Sequence, residues 1–375
     1  MNIAIIVPAR IGASGGAVKH LRHLIPILLQ SSRVDTLRVY LPDGIECGGS
    51  QLPANLIYTF PADDYRKGFR TLSTLVHEGK HGVALLTSAR HVATKGLPSV
   101  VMAQNSEPLQ IANYSMDIYW RLRLWALRRE IRVAFAHATR ILTLSEYMRE
   151  LIISCFASPL QKIDIAYHGF DPSEANQEGT SPQGVTPEFI FTAGLLVPYR
   201  GTEDLLHALR IMRQDGGNCP QLLISGTGYS RYERKVRQLA KKLQVDDHVY
   251  WAGQLTRAEM AWCYKNCTSF IFTSRAECFS NIVLESMGHG CISISSDHPP
   301  MPEMYGDAAL FYHWGDSHDL ANRIRNVFTM PEEERQICRE RALSRIEHFS
   351  WQQTAEQTLG ALDRAICEYH ARTHE

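Results

Sequence analysis

The sequence predicts an α/β protein built of two Rossmann-like domains. Three observations carry that expectation. The chain has 375 residues, too long for one ordinary core and suited to two domains. Its opening reads strand, glycine-rich turn, helix, which is how a parallel α/β sheet begins. A polar stretch at 171 to 187, DPSEANQEGTSPQGVTP, interrupts this alternation, and the alternation then starts again.

Taken in order, residues 1–8 are a short apolar strand, ARIGASGG is a loop, and 17–24 begin a helix. Further strands are expected at 37–41, 83–87, 100–103 and 141–144, with helical patterns between them. After the break, strands at 189–193, 221–225, 248–251, 269–273 and 291–295 alternate with helices at 202–213, 232–243, 257–266 and near 281–289. Three helical segments close the chain, at 319–328, 331–348 and 352–370. The boundaries expected are a first domain over 1–170, a linker over 171–188, a second domain over 189–350 and a C-terminal helix over 351–375. Two such domains are expected to face each other across a cleft, because open parallel sheets bind ligands at the carboxyl ends of their strands.

Composition narrows the function. The chain is 45% hydrophobic and 21% charged, its formal net charge is zero and its pI is about 7.3, so no nucleic-acid partner is expected. Nine cysteines are scattered without a tandem CxxC pair, which suits reduced thiols in a cytoplasmic protein. The opening MNIAIIVPAR lacks a basic leader and its apolar run is short, so no signal peptide is expected. No run of 18 apolar residues is present, so no membrane span is expected.

The stretch ECFSNIVLE, 277 to 285, carries the most chemistry. Glu277 and Glu285 are eight positions apart, and eight helical steps turn side chains about 80° from one another. Glu277 is therefore expected in a loop and Glu285 on a helix, with Ser280 or Asn281 at its N-cap. A helix beginning there offers backbone N–H groups and a partial positive charge to an anion. Taken alone, the nine residues read more economically as a surface loop before a capped helix.

Other motifs weigh less. His77-Glu78-Gly79-Lys80-His81 fits H-E-x-x-H, yet Gly79 interrupts it and an apolar strand follows at once, so a helix C-terminus is expected rather than a zinc site. Ser14-Gly15-Gly16 and Gly226-Thr227-Gly228 follow strands and let backbone approach a ligand, though each alone is equally a tight turn. No D-x-D pair occurs, so a diphosphate would be neutralised by helix tips, backbone N–H groups and a basic side chain such as Arg200. The segment 119–140 is basic and aromatic. Trp120, Leu124, Leu127, Ile131 and Phe135 keep helical spacing, and Arg121, Arg128 and Arg132 share another face. It reads either as a helix packed on its own domain or as one lying on an anionic membrane surface.

The block ECFSNIVLESMGHGCISISSDHPPMPEMYGDAALFY resembles the signature of retaining glycosyltransferases of the GT-B fold, family four. The shared features are Glu277 and Glu285, Ser286-Met287-Gly288, Pro302-Glu303 and Gly306-Asp307-Ala308-Ala309. Weaker matches lie at Gly15-Gly16 with His20-Leu21, at Tyr167-His168-Gly169-Phe170-Asp171, at Ala193-Gly194-Leu195-Leu196, at Trp251-Ala252-Gly253 and at Phe349-Ser350-Trp351. The resemblance implies two facing Rossmann-like domains and a last helix that crosses back to the first.

It also implies roles. Glu277 would bond hydroxyls of the transferring sugar, Glu285 the nucleotide ribose, and the backbone of Phe279, Ser280, Asn281 and Ile282 the diphosphate. Arg200 would stabilise the leaving phosphate, Gly15, Gly16 and Gly253 would line the donor, and Gln104 and Asn105 would face the acceptor. The donor would be a nucleotide-diphosphate sugar and the acceptor a glycan or lipid-linked saccharide at the cytoplasmic membrane face. Neither metal nor other cofactor is implied. Two departures stand out. Leu195 occupies a position that is often arginine in the family, and Gln104-Asn105 replaces a frequent histidine. They keep open a non-catalytic partner subunit, and beside it a GT-B epimerase or donor hydrolase.

Overall fold

The structure is a computed structural model that describes residues 1–8, 15–43, 54–60, 65–94, 96–110, 118–185, 188–216 and 219–373. Ser14 and the rest of the 9–14 loop lie outside these residues. The chain divides into two units, one formed by residues 1–109, 118–169 and 350 onward, the other essentially by 170–349.

The first unit is a parallel sheet with the order β3-β2-β1-β4-β5-β6-β7. Its strands are β1 (Asn2–Ile6), β2 (Thr36–Pro42), β3 (Ile57–Phe60), β4 (Val83–Leu86), β5 (Ser99–Ala103), β6 (Arg140–Thr143) and β7 (Ile163–Ile165). β1 and β4 are almost wholly buried, as an apolar strand covered on both faces must be. Helices α1 (Gly15–Gln30), α2 (Tyr65–Glu78), α3 (Ile118–His137) and α4 (Glu146–Phe156) connect them. α4 starts on a Ser145 side chain that accepts from the Met148 N–H, a standard N-cap.

The H-E-x-x-H segment is a helix end. α2 stops at Glu78, Lys80 takes a left-handed φ of 50°, and His81 turns inward with Nε2 2.7 Å from the Tyr40 hydroxyl. Burial, aided by the Arg38 charge, lowers the His81 imidazole to about 4, so it partners the phenol in its neutral form.

The second unit repeats the plan. Its parallel sheet has the order β10-β9-β8-β11-β12-β13, from β8 (Phe189–Ala193), β9 (Gln221–Ser225), β10 (Val249–Gly253), β11 (Ser269–Phe272), β12 (Ser293–Ser296) and β13 (Ala309–Tyr312). The helices are α5 (Pro172–Ala175), α6 (Thr202–Gln214), α7 (Ser230–Lys242), α8 (Arg257–Asn266), α9 (Asn281–Gly288), α10 (Met301–Tyr305), α11 (Ser317–Thr329) and α12 (Glu332–Ile346). One core of Ile190, Leu206, Leu209, Ile224, Val236, Ile271, Ile294 and Ile324 sits between sheet and helices. Each such side chain contributes about 1.5–3 kcal/mol relative to exposure. The chain ends in α13 (Trp351–Thr373), which belongs to the first unit and packs on α1 and on β4 to β7.

In both sheets the strand order reverses beside the first strand, between β1 and β4 and between β8 and β11. That is where a doubly wound sheet opens a crevice for ligands. Several elements differ from expectation. β3, β7, β13 and α10 were not foreseen, and the strand expected at 291–295 begins two residues later. The stretch expected as a linker is fastened to the second unit. The Thr180 N–H donates to the Ala258 carbonyl, the Tyr250 hydroxyl to the Gln183 carbonyl, and Lys265 Nζ to the Gln177 carbonyl.

Candidate functional site

The site is built where β8 and β11 end. After β8 the chain turns through Gly194, at φ 119°, and passes over the turn that follows β9. The Gly194 N–H donates to the Ser225 carbonyl at 3.0 Å, and the Leu196 N–H to the Thr227 carbonyl at 3.2 Å. The approach is close enough that a Cβ on Gly226 would lie 1.9 Å from the Gly194 carbonyl oxygen, and one on Gly228 1.9 Å from that of Leu196. Glycine is thus required by contact between two turns. Gly253, at the end of β10, accepts the Gly226 N–H at 2.6 Å and extends the same seam.

Beyond that seam, Pro198–Arg200 forms a single 3₁₀ turn closed by Gly201 at φ 64°. This turn is stitched to the loop after β11. The Thr273 hydroxyl donates to the Arg200 carbonyl at 2.6 Å, and the Arg275 N–H to the Tyr199 carbonyl at 2.7 Å. Arg275 also pairs with the buried Asp204 of α6. The stitching brings Arg200 against Glu277, with guanidinium nitrogen and carboxylate oxygen 3.2 Å apart. Ser274 donates its hydroxyl to the same carboxylate oxygen at 2.9 Å. The Arg200 guanidinium lies 5.0 Å from the Phe272 ring centre, and Glu277 is only 9% exposed. Two opposite charges held this far from water act strongly on one another and on any ligand between them.

Glu277 lies in the loop, and α9 begins at Asn281, as the eight-residue spacing requires. Ser280 occupies the N-cap with extended backbone, but its side chain makes no cap hydrogen bond. No acidic residue stands in the first turn to neutralise the helix tip. Phe279 and Ser280 are buried, whereas Asn281 and Ile282 are partly exposed. Ile282 reaches back to Gly194, where a Cβ would meet its Cδ1 at 3.0 Å. Glu285 sits one turn along α9 and accepts the Tyr264 hydroxyl at 3.1 Å.

The second unit therefore gathers Arg200, Glu277, Phe279, Ser280, Asn281, Ile282 and Glu285 around one helix tip. Gly253 stands on the neighbouring turn. Gly15 and Gly16 open α1 in the first unit. Gln104 and Asn105 follow β5 there, and Asn105 has a local task, its side-chain oxygen accepting the Glu107 N–H at 3.0 Å. Ser274, Arg275 and Tyr264 escaped the sequence reading. Ser274 and Arg275 fall just outside the quoted stretch, while Tyr264 touches Glu285 only through the fold.

Two doubly wound parallel units, the second with a basic and an acidic side chain beside a helix tip, define a GT-B architecture. Residues 174–345, a little under half of the chain, match the family described as Glycosyl transferases group 1.

Two relatives extend the comparison. The O-antigen chain mannosyltransferase B of Escherichia coli is 23% identical over 249 residues, 64% of this chain and 64% of its own length. The MMP alpha-(1->4)-mannosyltransferase of Mycolicibacterium hassiacum is 24% identical over 306 residues, 79% of this chain and 69% of its own. Among solved structures, Anabaena HepE in complex with UDP-glucose shares the fold with a TM-score of 0.75 and 17% identity, covering 97% of this chain and 100% of that one.

Proposed function

We propose that this chain is a retaining glycosyltransferase that moves a sugar from a nucleotide-diphosphate donor to a glycan or lipid-linked saccharide. The Arg200–Glu277 pair beside the N-terminus of α9 carries the reading. A donor diphosphate at the tip is met by backbone N–H groups and by the Arg200 charge. Glu277 takes hydroxyls of the sugar, and Glu285 the ribose. The bond from the anomeric carbon to phosphate breaks, and the acceptor oxygen joins the same face of that carbon. The acceptor's proton passes to a leaving phosphate oxygen, so no strong side-chain base is needed. Positive charge comes from Arg200 and the helix tip, which fits a metal-independent site. The mannosyltransferase relatives and the group 1 match support the class of reaction.

The test is a thermal shift against UDP, GDP, ADP, CMP and their common sugar conjugates, with and without EDTA. One nucleotide family at about 100 times its dissociation constant is expected to add roughly 2.7 kcal/mol of stability, and EDTA to leave the shift unchanged. A shift abolished by EDTA would end the metal-independent reading. No shift with any nucleotide would favour a non-catalytic partner subunit.

A lipid-linked acceptor calls for a membrane-facing surface, and the exposed face of α3 supports that role. The stripe foreseen there turns inward. Leu124, Ile131 and Phe135 are buried, and Trp120 donates its indole N–H to Glu107 at 2.7 Å. A second apolar set faces out, with Ile118, Tyr119, Leu122 and Trp125 exposed by 71, 72, 62 and 60%. Arg121, Arg129 and Arg132 are exposed with them, and Arg132 and the half-buried Arg128 both lean over Phe156. Aromatic and aliphatic side chains bordered by arginines match an anionic bilayer surface. No helix among the described residues is long and apolar enough to cross a membrane. The protein is expected to co-sediment with vesicles containing phosphatidylglycerol and not with pure phosphatidylcholine. Leu122→Ser with Trp125→Ser should remove that binding. Equal sedimentation of wild type and variant would dismiss the surface.

A further inference from the structure

Three stretches that the site leaves unused meet inside the first unit. They are His20 and His23 of α1, the run Tyr167-His168-Gly169, and Trp351 at the start of α13. His20 is fully buried, and His168 and Trp351 are 4 and 5% exposed. The His20 ring lies 4.8 Å from that of His168 and meets Trp351 edge-on at 5.7 Å. Trp351 also lies 5.6 Å from His168 and stacks on the half-buried His23 at 4.8 Å. The backbones are as close as the rings. A Cβ on Gly169 would lie 2.1 Å from the Trp351 nitrogen, and the Thr354 hydroxyl donates to the Tyr167 carbonyl at 2.6 Å. The chain leaves the first unit after Gly169 and re-enters it at Ser350, so the cluster holds both ends of that excursion against α1.

Contact between uncharged rings holds the cluster together. Neither nitrogen of His20 has a hydrogen-bond partner, and the buried indole N–H of Trp351 has none either. Burial, then His168 and then His23, keep the His20 imidazole well below its ordinary value of 6.5. Among the described residues, those two imidazoles are the titratable neighbours that act on it, and no carboxylate is with them. The other charges on the elements around it are turned elsewhere. Lys19 and Arg22 of α1 are partly exposed, Arg33 beyond the far end of α1 pairs with Asp363 of α13, and Asp164 of β7 is taken by Arg140 and Arg364. A proton on His20 would make both ring nitrogens donors with no acceptor, and would bury a charge with no counter-ion. The rings accommodate it by separating and admitting water.

The sign follows from linkage. A histidine held below its ordinary value when folded adds stability above that value and loses it as pH falls. The closed cluster should therefore weaken by up to about tenfold per pH unit below about 6.5, for each proton taken up.

We infer that His20, His23, His168 and Trp351 form a proton-operated latch, which fastens the start of α13 and the 167–169 segment to α1 while the rings are uncharged and releases them on acidification. The inference goes beyond the reaction proposed above and does not depend on it.

Amide hydrogen exchange of the full chain, read by mass spectrometry at about pH 7.5 and about pH 5.5 and corrected for intrinsic rates, tests the latch. Melting curves do not, because His81 of the same unit is held to about 4 and adds its own acid destabilisation. In wild type, peptides spanning 352–360 should exchange about tenfold faster at the lower pH and recover on return, while strands β1 and β8 keep their protection. His20→Leu puts a group there that takes up no proton. It should hold exchange of the same peptides within about threefold between the two conditions.

A wild type without selective acid acceleration in these peptides overturns the inference, as does a His20→Leu protein that keeps the tenfold change. If His20→Leu does not fold, His168→Asn takes its place. It removes the imidazole that most opposes a proton on His20, so less opening is needed to carry one, and the acceleration should shrink by about threefold or more. An unchanged acceleration counts against the latch.

Discussion

Replacing Arg200 with alanine is expected to lower kcat by about 100- to 1000-fold, the usual cost of removing one preorganised group that stabilises developing negative charge. The reason lies in what surrounds it. Arg275, the next arginine along this part of the site, is committed to Asp204. Leu195 is 51% exposed at the position where the resemblance places a second cation. On the proposed reading, the charge expected to meet a leaving diphosphate among the described residues of the second unit is that of Arg200. Its side chain is held in the resting site by Glu277 and by the face of Phe272, so little reorganisation is needed when a donor arrives. Lysine at this position keeps the charge but loses the planar fork, and should recover only part of the rate. Glu277→Ala should be at least as damaging, because it removes the proposed sugar contact and the carboxylate that pairs with Arg200. Initial rates with the donor selected by the thermal-shift panel provide the measurement. If Arg200→Ala keeps kcat within about threefold of wild type, the assignment of leaving-group stabilisation to Arg200 fails.

The sequence exposed the architecture more fully than the contacts. The alternation of apolar strands with amphipathic helices is a local property, so the central strands of both sheets could be read from periodicity. The strands that escaped, β3, β7 and β13, all lie at sheet edges. Edge strands are short and less apolar, and β7 has only the three residues Ile-Asp-Ile. The same limit shaped the reading of α3. Both of its sides are apolar, so the spacing found the inward stripe and gave no sign of the second set at Ile118, Tyr119, Leu122 and Trp125. Within the site, the eight-residue interval fixed Glu277 in the loop and Glu285 on the helix, because helical geometry leaves little choice. Tyr264 precedes Glu285 by 21 positions and lies on another helix, so its hydrogen bond exists only once α8 and α9 are packed. The glycines were legible as turns. That Gly226 lies against Gly194 was not, because contact between two turns is set by adjacent strands.

Arg140→Met is expected to destabilise the first unit by about 3 kcal/mol, the lower end of the range for breaking a buried ion pair. Arg140 opens β6 and is 5% exposed, and its guanidinium binds both oxygens of Asp164 on β7, with Nη2 3.0 Å from Oδ1. It also pairs with Glu368 of α13, while Arg364 of the same helix reaches Asp164 at 2.8 Å. This group of charges fastens α13 to two neighbouring strands. Methionine fills much of the volume but leaves the Asp164 carboxylate buried with Arg364 alone, and Arg364 is half-exposed and shields it poorly. The remaining pair keeps the cost from reaching the upper end of the range. The physical claim is that the penalty comes from the stranded charge, and a second substitution separates that from lost packing. Arg140→Met combined with Asp164→Leu removes both charges and should recover most of the stability, since apolar replacements of buried ion pairs are often close to neutral. Urea unfolding of wild type, each single variant and the double variant gives the cycle, and the coupling between the two sites should exceed about 1 kcal/mol. Strictly additive losses would mean that the network contributes through packing, and that the attachment of α13 owes little to its charges.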